Sequence, residues 1–113
     1  MSAITTHVLD TSVGKPAARV AVKLEVQGVG GWQTVASATT DADGRAAELL
    51  SRGAALPVGT YRLWFGTGEY FRARDVESFY PHVEIVFIVD DAAQHYHVAL
   101  LLTPYSYSTY RGS

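Results

Sequence analysis

Cysteine is absent from the 113 residues, methionine occurs once, and no apolar run approaches the roughly 18 residues of a membrane-spanning helix. Without cysteine there is neither a disulfide nor a thiolate nucleophile, which fits a reducing compartment. Charge of one sign is lacking too: nine Lys and Arg stand against eleven Asp and Glu, a formal net charge of -2. The cations are scattered and form no basic arm. Phosphate binding needs concentrated positive charge, so nucleic acid is not the expected partner. The opening MSAITTHVLD has neither the basic start nor the apolar stretch of a secretory signal, and the expected location is the cytoplasm, with no membrane partner. No Ser/His/Asp spacing, glycine-rich phosphate loop or paired-carboxylate motif stands out.

What is present is a hydrophobic content of 48% against 18% charged residues, enough for a packed core. At this length the chain is one domain over residues 1–113. Its pattern is mostly of period two. In RVAVKLEV, residues 19–26, Val20, Val22, Leu24 and Val26 fall on one face and Arg19, Ala21, Lys23 and Glu25 on the other, which predicts a half-buried strand. ITTHVL before it is a weaker strand, closed by the turn-rich DTSVGKP, and GWQTVASATT reads as a third. DADGR, from Asp41 to Arg45, is a tight turn whose Asp-Gly pair suits positive backbone angles.

RAAELL predicts a short strand, residues 61–65 a clearer one, and GEYFRARD two helical turns over about residues 69–74. HVEIVFIV and HYHVALLLT follow, joined by the acidic turn DDAAQ. Seven or eight short strands with turns between them indicate an all-β antiparallel sandwich.

The residues able to carry chemistry are four histidines, His7, His82, His95 and His97, with Arg45 after a turn glycine. On HYHVALLLT, residues 95, 97, 99, 101 and 103 share one face. That face mixes histidine with Leu101, so it is neither plain core nor plain solvent, as though another subunit covers it. Thr5, His7 and Leu9 share a face in the same mixed way. A lone strand histidine is most often a surface or hydrogen-bonded residue. The His95-x-His97 spacing also suits two ligands of one metal ion, which would need a third. Arg72 and Arg74 are expected to face solvent. The closing PYSYSTYRGS reads as an edge strand or as functional groups delivered to one place.

ITTHVLDTSVGKPA at the start, TDADGR at 40–45, GEYF and ESFYP within 68–81 and HYHVALLLTPYSYSTYRGS at the end together resemble the transthyretin-related 5-hydroxyisourate hydrolases, in order and over the whole chain. The terminal Tyr-Arg-Gly-Ser is the most specific of these marks, and here it stands at the C-terminus. The resemblance implies a transthyretin-like (prealbumin-like) β-sandwich of two four-stranded antiparallel sheets with one short α-helix. It implies a homotetramer, a dimer of dimers with sites in the channel between dimers, and no cofactor or metal. The substrate would be 5-hydroxyisourate, hydrolysed in urate degradation.

By the same resemblance His7, Arg45 and His97 are the catalytic residues. His7, Arg45, Tyr110, Arg111, Gly112 and Ser113 would bind the substrate. His95 would be a supporting or surface residue. Two departures are local: Ala99 stands where the family commonly has proline, and His82, expected at the surface, where it more often has an acid. Two rivals are a transthyretin-type small-molecule carrier, with the same fold and channel but no chemistry, and a plain adhesion or scaffold sandwich. The carrier predicts loss of the channel histidines and of the tail, and the scaffold makes their joint presence a coincidence.

Overall fold

Alternation of apolar and polar side chains decides most of the strands. The computed structural model describes residues 3–46, 49 and 56–112. Among these, the long strands are β1 (Ile4–Asp10), β3 (Ala21–Gly28), β4 (Gly31–Thr39), β6 (Gly59–Phe65), β7 (Val83–Val89), β8 (Tyr96–Thr103) and β9 (Ser106–Gly112). Two-residue strands β2 (Lys15–Pro16) and β5 (Arg45–Ala46) flank β1, and one helix, α1 (Thr67–Ala73), follows β6. RAAELL contributes β5 only; its residues 47, 48 and 50 lie outside the described residues.

Two sheets form the sandwich. One has the order β2-β1-β8-β9, with β5 also paired to β1; the other has the order β4-β3-β6-β7. The first sheet therefore has five strands rather than four, two of them very short. It is also not wholly antiparallel, because β1 and β8 run parallel, from Ile4 beside Tyr96 to Asp10 beside Leu102. The physical reason is the path of the chain. Between these strands it builds the whole second sheet, and so long a crossover can return in the same direction.

The core lies between the sheets. Ile4 and Val8 of β1 and Leu100 and Leu102 of β8 meet Val22, Leu24, Leu63 and Phe65 of β3 and β6, all nearly inaccessible to solvent. Val20, Val22 and Leu24 are buried as their alternation predicts, but Val26 is only half-buried. The register between β3 and β4 shifts at Leu24/Glu25, so the strict alternation ends there. On the outer face of the second sheet, Lys23 stacks over Trp64 and Arg62 over Trp32.

The helix starts two residues before its predicted position. Its first turn runs through the buried Gly68, whose N–H donates to the Pro81 carbonyl at 3.1 Å. A Cβ at Gly68 would press on that carbonyl, so the glycine is a point of contact rather than a helix breaker. Arg72 and Arg74 are exposed, as expected, with Arg72 paired to Glu69 and Arg74 over the Tyr70 ring.

A buried carboxylate ties the helix to β1. Asp10 Oδ2 accepts the Tyr70 hydroxyl at 2.8 Å, and Oδ1 accepts the Ser12 N–H and hydroxyl. Burial, reinforced by Asp10, pushes the Tyr70 phenol up to about 12. Asp10→Ala would strand the Tyr70 hydroxyl without its acceptor. We expect it to cost about 3 kcal/mol, measured as a lowered midpoint in urea unfolding.

Candidate active site

The outward face of the first sheet gathers the candidate residues. Because strand residues alternate, Thr5 and His7 of β1, His97 and Ala99 of β8, and Tyr110 and Gly112 of β9 fall on that face together. Pairing then aligns them in two cross-strand rows. One row runs Arg45, His7, Ala99, Tyr110; the other runs Thr5, His97, Gly112. His7, Arg45, His97, Tyr110, Arg111 and Gly112 line one open cleft of about 530 Å³. Six of the seven residues named from the sequence thus meet in one place, and Ser113 lies outside the described residues.

Arg45 and His7 are set by the Asp-Gly turn. Asp41 Oδ1 accepts the N–H groups of Asp43 at 2.9 Å and Arg45 at 3.0 Å, and Gly44 takes φ +77°. The turn also packs tightly on β1. A Cβ at Gly44 would overlap the Val8 carbonyl oxygen, and the Gly44 carbonyl accepts the Val8 N–H at 2.7 Å. The Arg45 N–H bond, more than any other influence, holds the Asp41 carboxyl below its usual range. His7 Nε2 lies 2.8 Å from the Asp43 carbonyl oxygen. A carbonyl only accepts, so Nε2 carries the proton and the neutral ring keeps its lone pair on Nδ1.

His97 is half-buried, and its ring lies against Gly112. A Cβ there would overlap His97 Cδ2 and stand 3.3 Å from Cγ and 3.4 Å from Nε2. The glycine of the tail is therefore the seat of the imidazole. On the other side His97 Nδ1 is 2.8 Å from Thr5 Oγ1, which is also 3.0 Å from His95 Nε2. Burial first, then the charges of Arg45, His7 and His95, holds the His97 imidazolium below its ordinary 6.5. That shift favours the neutral ring over the imidazolium.

The tail is a strand and a cleft wall at once. Tyr110 is 56% exposed, over the small Ala99 with which it pairs. Arg111 borders the cleft, yet its guanidinium donates to Gln94 Oε1 at 3.0 Å and stacks 4.6 Å over the Tyr96 ring. His82 is half-buried rather than at the open surface, tilted against Trp64 with the ring centres 5.6 Å apart. Among the described residues, no three His, Cys, Asp or Glu side chains group closely enough to hold a metal ion.

Sequence reasoning missed three contributors: Thr5, Asp41 and the Asp43 carbonyl. Thr5 had a visible signal, since it shares the mixed face of His7. The two turn residues had none beyond the turn itself.

Two packed sheets with a histidine–arginine cleft on the outer face of one define a transthyretin-like sandwich. The chain belongs to the HIUase/Transthyretin family, whose pattern matches residues 4–112. It is 47% identical over 117 residues to the 5-hydroxyisourate hydrolase of Caulobacter vibrioides, covering 100% of each chain. The solved Klebsiella pneumoniae 5-hydroxyisourate hydrolase superimposes with a TM-score of 0.86 at 39% identity, over 97% of this chain and 98% of that one. Sea bream transthyretin in complex with thyroxine superimposes with a TM-score of 0.91 at 33% identity, over 98% and 95%. Overall shape thus matches a hydrolase and a transthyretin alike, while the higher sequence identity is to the hydrolases.

Proposed function

We propose that this chain is a 5-hydroxyisourate hydrolase, opening the six-membered ring of its substrate to give 2-oxo-4-hydroxy-4-carboxy-5-ureidoimidazoline in urate degradation. The observation that carries the reading is the cleft itself, where a half-buried His97, its imidazolium disfavoured by burial, shares one concavity with Arg45 and His7. A carrier has no need of a proton acceptor beside a fixed cation.

The chemistry follows from the groups. Water attacks the lactam carbonyl carbon as His97 Nε2 takes its proton. Arg45, charged at any working pH and bearing a planar fork of donors, stabilises the developing oxyanion. The ring C–N bond then breaks as the nitrogen takes a proton from His97. His7, with Nε2–H spent on the turn, offers Nδ1 as an acceptor for a polar edge of the substrate. Tyr110 closes one side, and Arg111 and Gly112 complete the rim. No step calls for a cofactor.

The active form would be a homotetramer of this one domain, residues 1–113, with the substrate as its other partner. Val86 and Ile88 of β7 and Tyr110 of β9 are large, apolar and more than half exposed, as suits surfaces awaiting another copy. The proposed location is the cytoplasm, supported by the cysteine-free sequence. Among the described residues no helix is long and apolar enough to cross a membrane.

The test is to form 5-hydroxyisourate in place from urate with urate oxidase and follow its ultraviolet decay. The intact protein should accelerate decay and scatter light as four 12.3 kDa chains. His97→Ala and a chain ending at Thr109 should each lose about a hundredfold or more. Decay at the uncatalysed rate with folded tetramer would overturn the hydrolase.

A further inference from the structure

Thr5 stands between two histidines and has only one hydrogen to give. Its Oγ1 lies 2.8 Å from His97 Nδ1 and 3.0 Å from His95 Nε2, and the two rings are nearly parallel with centres 6.5 Å apart. A hydroxyl donates once and can accept twice, so at most one of the two ring nitrogens can face it with a lone pair. Three arrangements satisfy both contacts. In the first, His97 Nδ1–H donates to Thr5 and Thr5 donates to His95 Nε2. In the second every direction is reversed, and in the third both rings donate to Thr5.

The arrangements differ at the reacting atom. In the first and third, His97 Nε2 is bare and can take a proton from water. In the second the neutral ring already carries hydrogen on Nε2 and cannot. We propose that Thr5 is a positioning residue that locks His97 in the tautomer protonated on Nδ1 by accepting its N–H at 2.8 Å. The role of His97 in this proposal rests on the hydrolase reading above.

The described groups that bear on His97 are His7 and Thr5 from β1, Arg45 from β5, His95 ahead of its own strand, and Arg111 beside Gly112 on β9. Of these, Thr5 alone is bonded to Nδ1 and can set the tautomer.

The experiment compares the tetramer with Thr5→Val, Thr5→Ser and His97→Ala. ¹⁵N NMR of the imidazoles reads the tautomer directly, and steady-state kinetics across pH read its effect. The intact protein should show His97 protonated on Nδ1. Thr5→Val, which keeps the shape and removes the hydroxyl, should give mixed tautomers and lower kcat about tenfold with KM little changed. Thr5→Ser should restore both. Wild-type kcat and tautomer in Thr5→Val, or a His97 protonated on Nε2 in the intact protein, would overturn the proposal. Activity surviving in His97→Ala would instead remove the hydrolase reading of His97 and this kinetic role with it.

Discussion

Gly112→Ala is expected to lower kcat for 5-hydroxyisourate by about a hundredfold while leaving the fold intact. A methyl group at this position has no room, because it would overlap His97 Cδ2 and crowd Cγ and Nε2. Backbone is not the obstacle. The pairing of Arg111 with Val98 and Tyr110 with Ala99 holds β9 in register, so the imidazole is the part that gives way. Turned aside, it loses Thr5 and its aim into the cleft. Melting temperature and light scattering should stay close to the parent values, because no core residue is touched. Activity near that of the parent would show that the ring does not depend on its glycine seat.

Arg45→Gln should cost about a hundredfold to a thousandfold in kcat/KM, the usual effect of removing a donor to a developing oxyanion. It should also move the pH profile, and the direction follows from the charge. In the parent, burial and then Arg45 hold the His97 imidazolium below its ordinary 6.5. His97 must be neutral to accept a proton, so activity rises with pH through that lowered value. Removing the cation makes protonation easier, and the acid limb moves to higher pH. Kinetics between about pH 5 and 8 measure it. An unmoved limb with reduced turnover would mean that Arg45 acts on substrate charge without influencing His97.

Local pattern carried the strands and failed at particular places for physical reasons. The alternation from Val20 to Leu24 was legible because one sheet face is core and the other is wet. The helix was placed late because Gly68 reads as a breaker until Pro81, thirteen positions on, is seen to need the space. The parallel pairing of β1 with β8 joins residues some ninety positions apart, and no local signal records it. The extra strands β2 and β5 are two residues each and exist only as partners of β1. His7, Arg45, His97 and the tail were legible together through resemblance, whereas spacing alone left His95 and His97 open to a metal reading. Thr5 was visible only as a neighbour on a mixed face, since its partners at 95 and 97 come from the far end of the chain.

That far pairing bears on how the catalyst comes into being. The second sheet joins stretches that follow one another closely in the chain, β3 with β4 and β6 with β7. The cleft instead requires residue 7 to meet residues 45, 97 and 112. Closing a long loop costs more entropy than closing a short one, and that cost is borne before the contact rewards it. Catalytic competence is therefore expected to be among the last properties a folding molecule acquires, and a chain with only its second sheet assembled is expected to be inert toward substrate.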